Sequence, residues 1–200
     1  GYCVVRSHGA TPQTFEEIEN SNLEIVDLTC PDVKKVQQKA IELAQNNYYV
    51  VIVGKSQHPE VVAIKANALQ YTNDVIVANS IEQLKEFEEV LSKHKKIGVV
   101  VQTTQTISTL KEITNYLIPL AKELVIANPI CQSTSKRQAE ALELGKESDL
   151  MIVVGSKKSA NTTHLAQILD GITETIHIET DIELNNFKSI LEKAKNIGVT

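Results

Sequence analysis

Short apolar segments rich in Val and Ile recur along the chain and alternate with segments of helical periodicity. Their length and β-branched composition are typical of strands. Most of them lack polar alternation, which indicates strands buried on both faces, as in a parallel sheet. The pattern therefore predicts an α/β protein. The predicted strands are residues 2–5, 23–28, 48–53, 75–77, 97–101, 124–127, 150–154, 175–178 and 197–200.

Three of the intervening segments repeat apolar residues at the three- and four-residue spacing of one helix face. Pro12 and Pro31 suit the first turn of a helix, where a missing N–H group costs little. Ser80 and Gln83 have the spacing of a capping box. The predicted helix faces are Val33, Val36, Ala40 and Leu43; Ile81, Leu84, Phe87 and Leu91; and Leu110, Ile113, Leu117 and Leu120.

The amino-acid composition of the chain argues against some classes of binding partner. The chain has 200 residues, is 42% hydrophobic and carries a formal charge of -5, with Lys and Glu intermixed and no basic stripe. This argues against nucleic acid and against an anionic membrane surface. No apolar run approaches the ~20 residues of a membrane span, and the first residues do not resemble a signal peptide. Three cysteines at irregular positions suit a reducing compartment, so we expect a cytoplasmic protein without structural disulfides.

Two cysteines occupy the same kind of position. Cys30 and Cys131 each follow an apolar segment just where a helical pattern begins. The N-terminus of a helix stabilises a thiolate, and thiolates bind iron, zinc or electrophiles. Cys3 lies inside the first predicted strand, where we expect a core residue. The shared context of Cys30 and Cys131 favours chemistry over packing.

Polar residues follow four of the predicted strands. The carboxyl ends of parallel strands are where ligands bind in open α/β sheets. Hydroxyls, amides, imidazoles and helix N-termini are donors for a phosphate or diphosphate, although several of these residues also suit helix capping. His58 and Glu60 combine an imidazole and a carboxylate at one helix start, which suggests proton transfer. The set comprises His8, His58, Glu60, Thr104, Thr106, Ser159 and Asn161.

These residues fall into ordered motifs that span the whole chain. In this order and spacing they resemble the 4-hydroxy-3-methylbut-2-enyl diphosphate reductase family of the non-mevalonate isoprenoid pathway. The motifs are Arg6-Ser7-His8-Gly9, the segment from Asp27 through Cys30-Pro31 to Val36, His58-Pro59-Glu60, Thr104-Gln105-Thr106, Ile130-Cys131 with Arg137-Gln138, and Gly155-Ser156-Lys157 with Ser159-Ala160-Asn161.

The resemblance implies a fold and a cofactor. It implies a pseudo-threefold arrangement of small parallel-sheet α/β units around a [4Fe-4S] cluster. Residues 1–30 would be the remnant of the first unit, 31–127 the second, and 128–200 a third that is incomplete at its C-terminal end. Cys30 and Cys131 match two cluster ligands. No residue matches the third, so we expect the chain to be a truncated piece that is inactive alone.

The resemblance also implies a reaction, the reductive removal of the allylic hydroxyl of the diphosphate substrate. The products are isopentenyl and dimethylallyl diphosphate, and electrons come from ferredoxin or flavodoxin. Glu60 matches the proton donor, and Thr106 lies next to the substrate hydroxyl. The residues matching substrate-binding positions are His8, His58, Ser159 and Asn161 for the diphosphate, and Thr134 beside the cluster.

Two other functions stay open on the residues alone. A non-enzymatic α/β module would bind a phosphorylated metabolite through the same histidines and helix starts, indifferent to the cysteines. A thiol enzyme would use one cysteine with His58 as base. The sequence disfavours the thiol enzyme because two cysteines share one environment.

Overall fold

The computed structural model describes residues 1–127 and 132–200. The strands are β1 Tyr2–Val5, β2 Glu24–Asp27, β3 Tyr49–Val53, β4 Val75–Ala78, β5 Lys96–Val101, β6 Glu123–Ile126, β7 Leu150–Val154, β8 Glu174–Ile178 and β9 Ile197–Val199. The helices are α1 Pro12–Asn20, α2 Pro31–Gln45, α3 Pro59–Leu69, α4 Ile81–Lys85, α5 Glu88–Leu91, α6 Ile107–Leu117, α7 Gln132–Lys146, α8 Ala160–Asp170 and α9 Lys188–Leu191, with a 3-10 helix at Asp181–Phe187.

The described strands form three separate sheets, and every pair in them is parallel. Their orders are β1-β2, β4-β3-β5-β6 and β8-β7-β9. The predicted α/β class with small parallel sheets is therefore confirmed. The chain divides into two compact units, Gly1–Ile130 and Cys131–Thr200. The three-part division expected from the sequence stays a prediction.

Strand β3 lies at the centre of the first unit. All of its residues are buried, as expected for a strand covered on both faces. Val51 and Val53 point into a cluster with α4, α5 and α6, whereas Val50 and Ile52 point into a cluster with α2 and α3. Helices α3 and α6 therefore cover opposite faces of the sheet.

The second unit repeats this plan on a smaller scale. Met151 and Val153 of β7 pack against Leu165 and Leu169 of α8. On the other face, Ile152 packs with residues of β8 and of the 3-10 helix. Among the described residues, we find no helix with the length and apolar character needed to cross a membrane.

Local details differ from the sequence expectation in two places. The stripe from Ile81 to Leu91 forms two short helices instead of one, although Leu84 and Leu91 are fully buried and Phe87 packs on the same cluster. The spacing of apolar residues predicts which face of a helix is buried. It does not predict where the backbone hydrogen bonds of the helix are interrupted. Cys3 is half-buried rather than a core residue.

Candidate functional site

The central sheet contains a point at which the connections diverge. From β3 the chain runs through α3 to β4 on one side, and β5 returns on the other side of β3. Helices α3 and α6, which follow β3 and β5, cover opposite faces. A crevice opens beyond the carboxyl ends of two such strands, and ligands of open α/β sheets bind there. The segments after β3 and β5 are therefore where a site is expected.

Glu60 lies in the first turn of α3 and is 1% exposed. Its Oε1 accepts the backbone N–H of Thr103 at 2.7 Å, and its Oε2 accepts the Thr103 hydroxyl at 3.0 Å. Burial raises the pKa of Glu60 above its ordinary value of 4.5, and the hydrogen bonds from Thr103 oppose this rise. The net effect favours a neutral carboxyl that can donate a proton.

His58 is the N-cap residue of α3. Its Nδ1 accepts the backbone N–H of Glu60 at 3.2 Å. A neutral imidazole whose Nδ1 accepts must carry its proton on Nε2. The cap therefore fixes the tautomer, and His58 offers an Nε2–H donor. The same helix turn supplies both this donor and the carboxyl of Glu60.

His8 comes from the loop after β1 and meets His58 edge-on. The two ring centroids are 5.0 Å apart, with an interplanar angle of 83°. The loop turns sharply because Gly9 adopts φ +75°, a conformation that other residues rarely take, and its N–H donates to the carbonyl of Arg6. The side-chain ligand atoms of His8, His58 and Glu60 all lie within 4.8 Å of one another.

This cluster is better suited to an oxyanion than to a metal ion. A metal on Nδ1 of His58 would displace the N–H of Glu60, and one on Nε2 would require the other tautomer and break the same cap. An anionic oxygen accepts from Nε2–H without disturbing the cap. The arrangement can hold an anion beside a carboxyl able to supply a proton.

Cys30 is the N-cap residue of α2, with a half-buried free thiol that makes no cap hydrogen bond. Its backbone N–H donates to the carbonyl of Ser7 at 3.0 Å, which ties it to the loop of His8. Asp27 lies at the end of β2 and stabilises the turn that leads to Cys30. Burial opposes a low pKa for Asp27, but hydrogen bonds from Lys34 and Thr29 outweigh it and lower the pKa. The thiol of Cys30 therefore lies at the N-terminus of α2, on a turn that a hydrogen bond connects to the loop of His8.

The threonine bonded to Glu60 is Thr103, which is not among the candidate residues predicted from the sequence. Thr106 is the N-cap residue of α6, and its hydroxyl lies 2.9 Å from that of Thr109. A signal for Thr103 was available, since it lies two residues beyond the end of β5, in the segment expected to carry ligands. The role assigned to Thr106 stays a prediction.

The remaining predicted residues belong to the second unit. Ser159 is the N-cap residue of α8 and accepts the N–H of Thr162 at 3.4 Å. The side-chain oxygen of Asn161, in the first turn of α8, is buried and has no hydrogen-bond partner in the described part of the chain. Thr134 lies on α7 and is 8% exposed. Cys131 lies outside the described residues.

Known proteins resemble this chain over most or all of its length. The family model described as LytB protein matches residues 1–200. The 4-hydroxy-3-methylbut-2-enyl diphosphate reductase of Syntrophotalea carbinolica is 40% identical over 203 residues, which cover 100% of this chain and 69% of that protein. The protein of the same name from Aquifex aeolicus is 37% identical over 182 residues, which cover 90% of this chain and 62% of that protein.

Solved structures agree with the relatives. One is described as (E)-4-hydroxy-3-methyl-but-2-enyl diphosphate reductase, the terminal enzyme of the non-mevalonate pathway. The match has a TM-score of 0.65 and 35% sequence identity. It covers 98% of this chain and 68% of the chain in that structure. The second is described as the E-1-hydroxy-2-methyl-but-2-enyl-4-diphosphate reductase from Plasmodium falciparum. The match has a TM-score of 0.87 and 26% sequence identity, and it covers 98% of this chain and 61% of the chain in that structure.

Proposed function

The chain belongs to the LytB protein family, and on that premise we propose that it acts in the reductive dehydroxylation of 4-hydroxy-3-methylbut-2-enyl diphosphate. The allylic C–O bond breaks with uptake of two electrons and two protons, the hydroxyl leaves as water, and isopentenyl and dimethylallyl diphosphate result. The observation that carries the proposal is the buried carboxyl of Glu60, held protonatable beside the His8 and His58 pair.

Glu60 supplies the proton that makes the hydroxyl a leaving group. Its Oε1 accepts the backbone N–H of Thr103, which can only donate, so the proton of the neutral acid resides on Oε2. An Oε2–H donates to the Thr103 hydroxyl, which then turns its own hydrogen outward. The pair thereby passes a proton from a buried acid to an oxygen beyond Thr103.

In this proposal, neutral hydrogen-bond donors bind the diphosphate. His58 presents Nε2–H because its Nδ1 accepts from the backbone of Glu60. His8 meets His58 edge-on and adds a second imidazole. We propose Ser159, Asn161 and Thr134 of the second unit as further substrate-binding residues.

The described residues fit an iron-sulfur cluster, since Cys30 offers a free thiol at a helix N-terminus. Cys30 and Cys131 would hold the [4Fe-4S] cluster. When bound, the cluster supplies single electrons and Lewis acidity. Ferredoxin or flavodoxin would deliver the electrons. The free thiols of Cys3 and Cys30 suit a reducing compartment, which supports a cytoplasmic setting.

A chimera tests the proposal. The 200 residues replace the matching segment of the Syntrophotalea carbinolica reductase, and the anaerobically reconstituted protein is assayed for conversion of the substrate. We expect turnover by the chimera, and a loss of about a hundredfold or more with Glu60→Gln, which cannot supply the proton. Equal turnover by the Glu60→Gln chimera would remove Glu60 from the reaction.

The cofactor is tested on the same protein. Cys30→Ser is expected to lower the iron and sulfide content and to bleach the visible absorption of the cluster. Cys3→Ser is the matched control, because Cys3 is also a half-buried free thiol but lies within a strand. An unchanged iron content in Cys30→Ser would exclude this thiol as a ligand.

A further inference from the structure

Thr29 is a buried residue at the point where two segments of the first unit meet. It lies directly before Cys30 and is 7% exposed. One segment, residues 6–9, follows β1 and is named the His8 loop after the residue it carries; the other, residues 28–30, joins β2 to α2 and is named the Cys30 turn. A buried hydroxyl is unfavourable without a hydrogen-bond partner, so the partner of Thr29 determines how its side chain is oriented.

Asp27, the last residue of β2, fixes the orientation of the Thr29 side chain. Its Oδ1 accepts the backbone N–H of Thr29 at 2.9 Å and also the Thr29 hydroxyl. Its Oδ2 lies 2.6 Å from the Lys34 ammonium of α2. Threonine carries its hydroxyl and its methyl group on the same carbon atom, so a fixed hydroxyl also fixes the position of the methyl group.

The methyl group of Thr29 faces the His8 loop. A Cβ on Gly9 would lie only 3.2 Å from Thr29 Cγ2, which shows how closely the backbone of Gly9 approaches this methyl group. The next residue contacts the same loop, because the backbone N–H of Cys30 donates to the carbonyl of Ser7 at 3.0 Å. The residues on both sides of His8 are therefore in contact with the Cys30 turn.

We infer that Thr29 is a positioning residue that holds the His8 loop against the Cys30 turn. Its hydroxyl is bonded to Asp27 and its methyl group faces Gly9, so one side chain connects the two segments. The placement of the His8 imidazole relative to the Cys30 thiol then depends on Thr29. The inference rests on the proposed function for the groups that these two side chains bind, an anion and a cluster.

Hydrogen exchange of the full chain in the absence of metal, followed by NMR, tests this contact. Thr29→Ser keeps the hydroxyl and removes the methyl group, whereas Thr29→Val keeps a methyl group toward Gly9 and removes the hydroxyl bonded to Asp27. Each variant is expected to accelerate exchange of the Gly9 and Cys30 amides about tenfold, because these N–H groups lie in the two segments that separate. Unchanged exchange in either variant would overturn the inference.

Thr72→Val is the matched control. Thr72 belongs to the same unit, and its hydroxyl also takes part in a turn, where it accepts the backbone N–H of Asp74 at 3.1 Å. The control removes a comparable hydrogen bond outside the two segments, so exchange at Gly9 and Cys30 is expected to stay within about twofold. An equal acceleration in this control would assign the effect to the stability of the unit as a whole and overturn the inference.

The chimeric enzyme shows whether the contact serves both side chains. In Thr29→Val, iron is expected to pass to a chelator about tenfold faster, because residues that support a metal ligand affect how firmly the metal is held. The same variant is expected to raise KM for the substrate, because the loosened loop carries His8. Thr72→Val should change neither quantity. A change in only one of them in Thr29→Val would show that Thr29 does not connect the two side chains and would overturn the inference.

The two hypotheses fail separately. If the chimera holds no cluster, the proposed function fails, while hydrogen exchange in the full chain still decides the role of Thr29. If the chimera holds a cluster and Thr29→Val alters neither iron release nor KM, the role of Thr29 is wrong and the proposed function stands.

Discussion

At the scale of single residues, the site depends on a carboxyl kept out of water. Glu60 is 1% exposed, and both of its oxygens accept hydrogen bonds from Thr103. Burial raises the pKa of Glu60, whereas these bonds lower it, and burial prevails. The folded protein therefore holds a proton on this group at a pH where the unfolded chain has released it.

That difference in proton binding makes stability depend on pH. Between the ordinary pKa of 4.5 and the raised value, the folded state binds more protons than the unfolded state, so the free energy of unfolding falls as the pH rises through this window. Glu60→Gln removes the titration and is expected to flatten this fall. Urea denaturation at a series of pH values measures it; an unchanged slope in the variant would contradict the assignment.

The two threonines of this loop are expected to behave differently. Thr103→Val removes the hydroxyl bonded to Glu60, so the pKa of Glu60 should rise further, and activity in the chimera should fall about a hundredfold. Thr106→Val removes the cap of α6, which costs about 1 kcal/mol of stability and leaves the pKa of Glu60 unchanged. Carbon NMR of the Glu60 carboxyl follows both. A change in the pKa of Glu60 in Thr106→Val and none in Thr103→Val would contradict this expectation.

At the scale of elements, the site depends on how closely helices approach the central sheet. Helix α2, which begins at Cys30-Pro31, packs on β5 where Gly98 leaves room for Leu43. A Cβ at Gly98 would lie 2.7 Å from Leu43 Cδ2. The absence of a side chain at Gly98 thus determines how closely α2, the helix capped by Cys30, approaches the sheet.

Gly98→Ala is accordingly expected to destabilise the protein by about 1–3 kcal/mol through overpacking. Combining it with Leu43→Ala should cost less than the sum of the two single losses, because the new methyl group occupies vacated space. Urea unfolding of the three variants gives the coupling. Gly171→Ala is the control, since a Cβ there would meet only Ile168 O at 3.8 Å. Simple additivity would show that Leu43 is not the obstacle.

At the scale of the whole molecule, each of the two units has its own sheets and its own hydrophobic clusters. The clusters around β3 belong to residues 1–130, and those around β7 belong to residues 131–200. A unit with a complete core and paired central strands contains what it needs to fold.

A fragment of residues 1–127 is therefore expected to fold alone and to unfold cooperatively, with a midpoint close to that of the matching transition in the full chain. A fragment of residues 1–95 lacks β5, the partner of β3, and should fail to fold. Circular dichroism during heating compares the two. Loss of cooperative unfolding in the longer fragment would show that the first unit depends on the second.

The sequence alone determined the class of the fold and most of the helix starts. Runs such as the one that forms β3 are apolar on both faces, and only a strand covered by helices on both sides buries such a run. Pro12, Pro31 and His58 mark helix starts because capping depends on neighbouring residues. The sequence also places His58 and Glu60 in one helix turn, whereas His8 reaches them from the loop after β1, a strand of another sheet.

The tertiary structure alone decided which groups meet and in which state. Thr103, and not Thr106, bonds to Glu60 because β5 brings it beside α3, 43 residues away along the chain. The raised pKa of Glu60 likewise comes from its burial by segments that are distant along the chain. Local patterns specify elements because the forces that form them are local, whereas desolvation and proton placement depend on everything that surrounds a group.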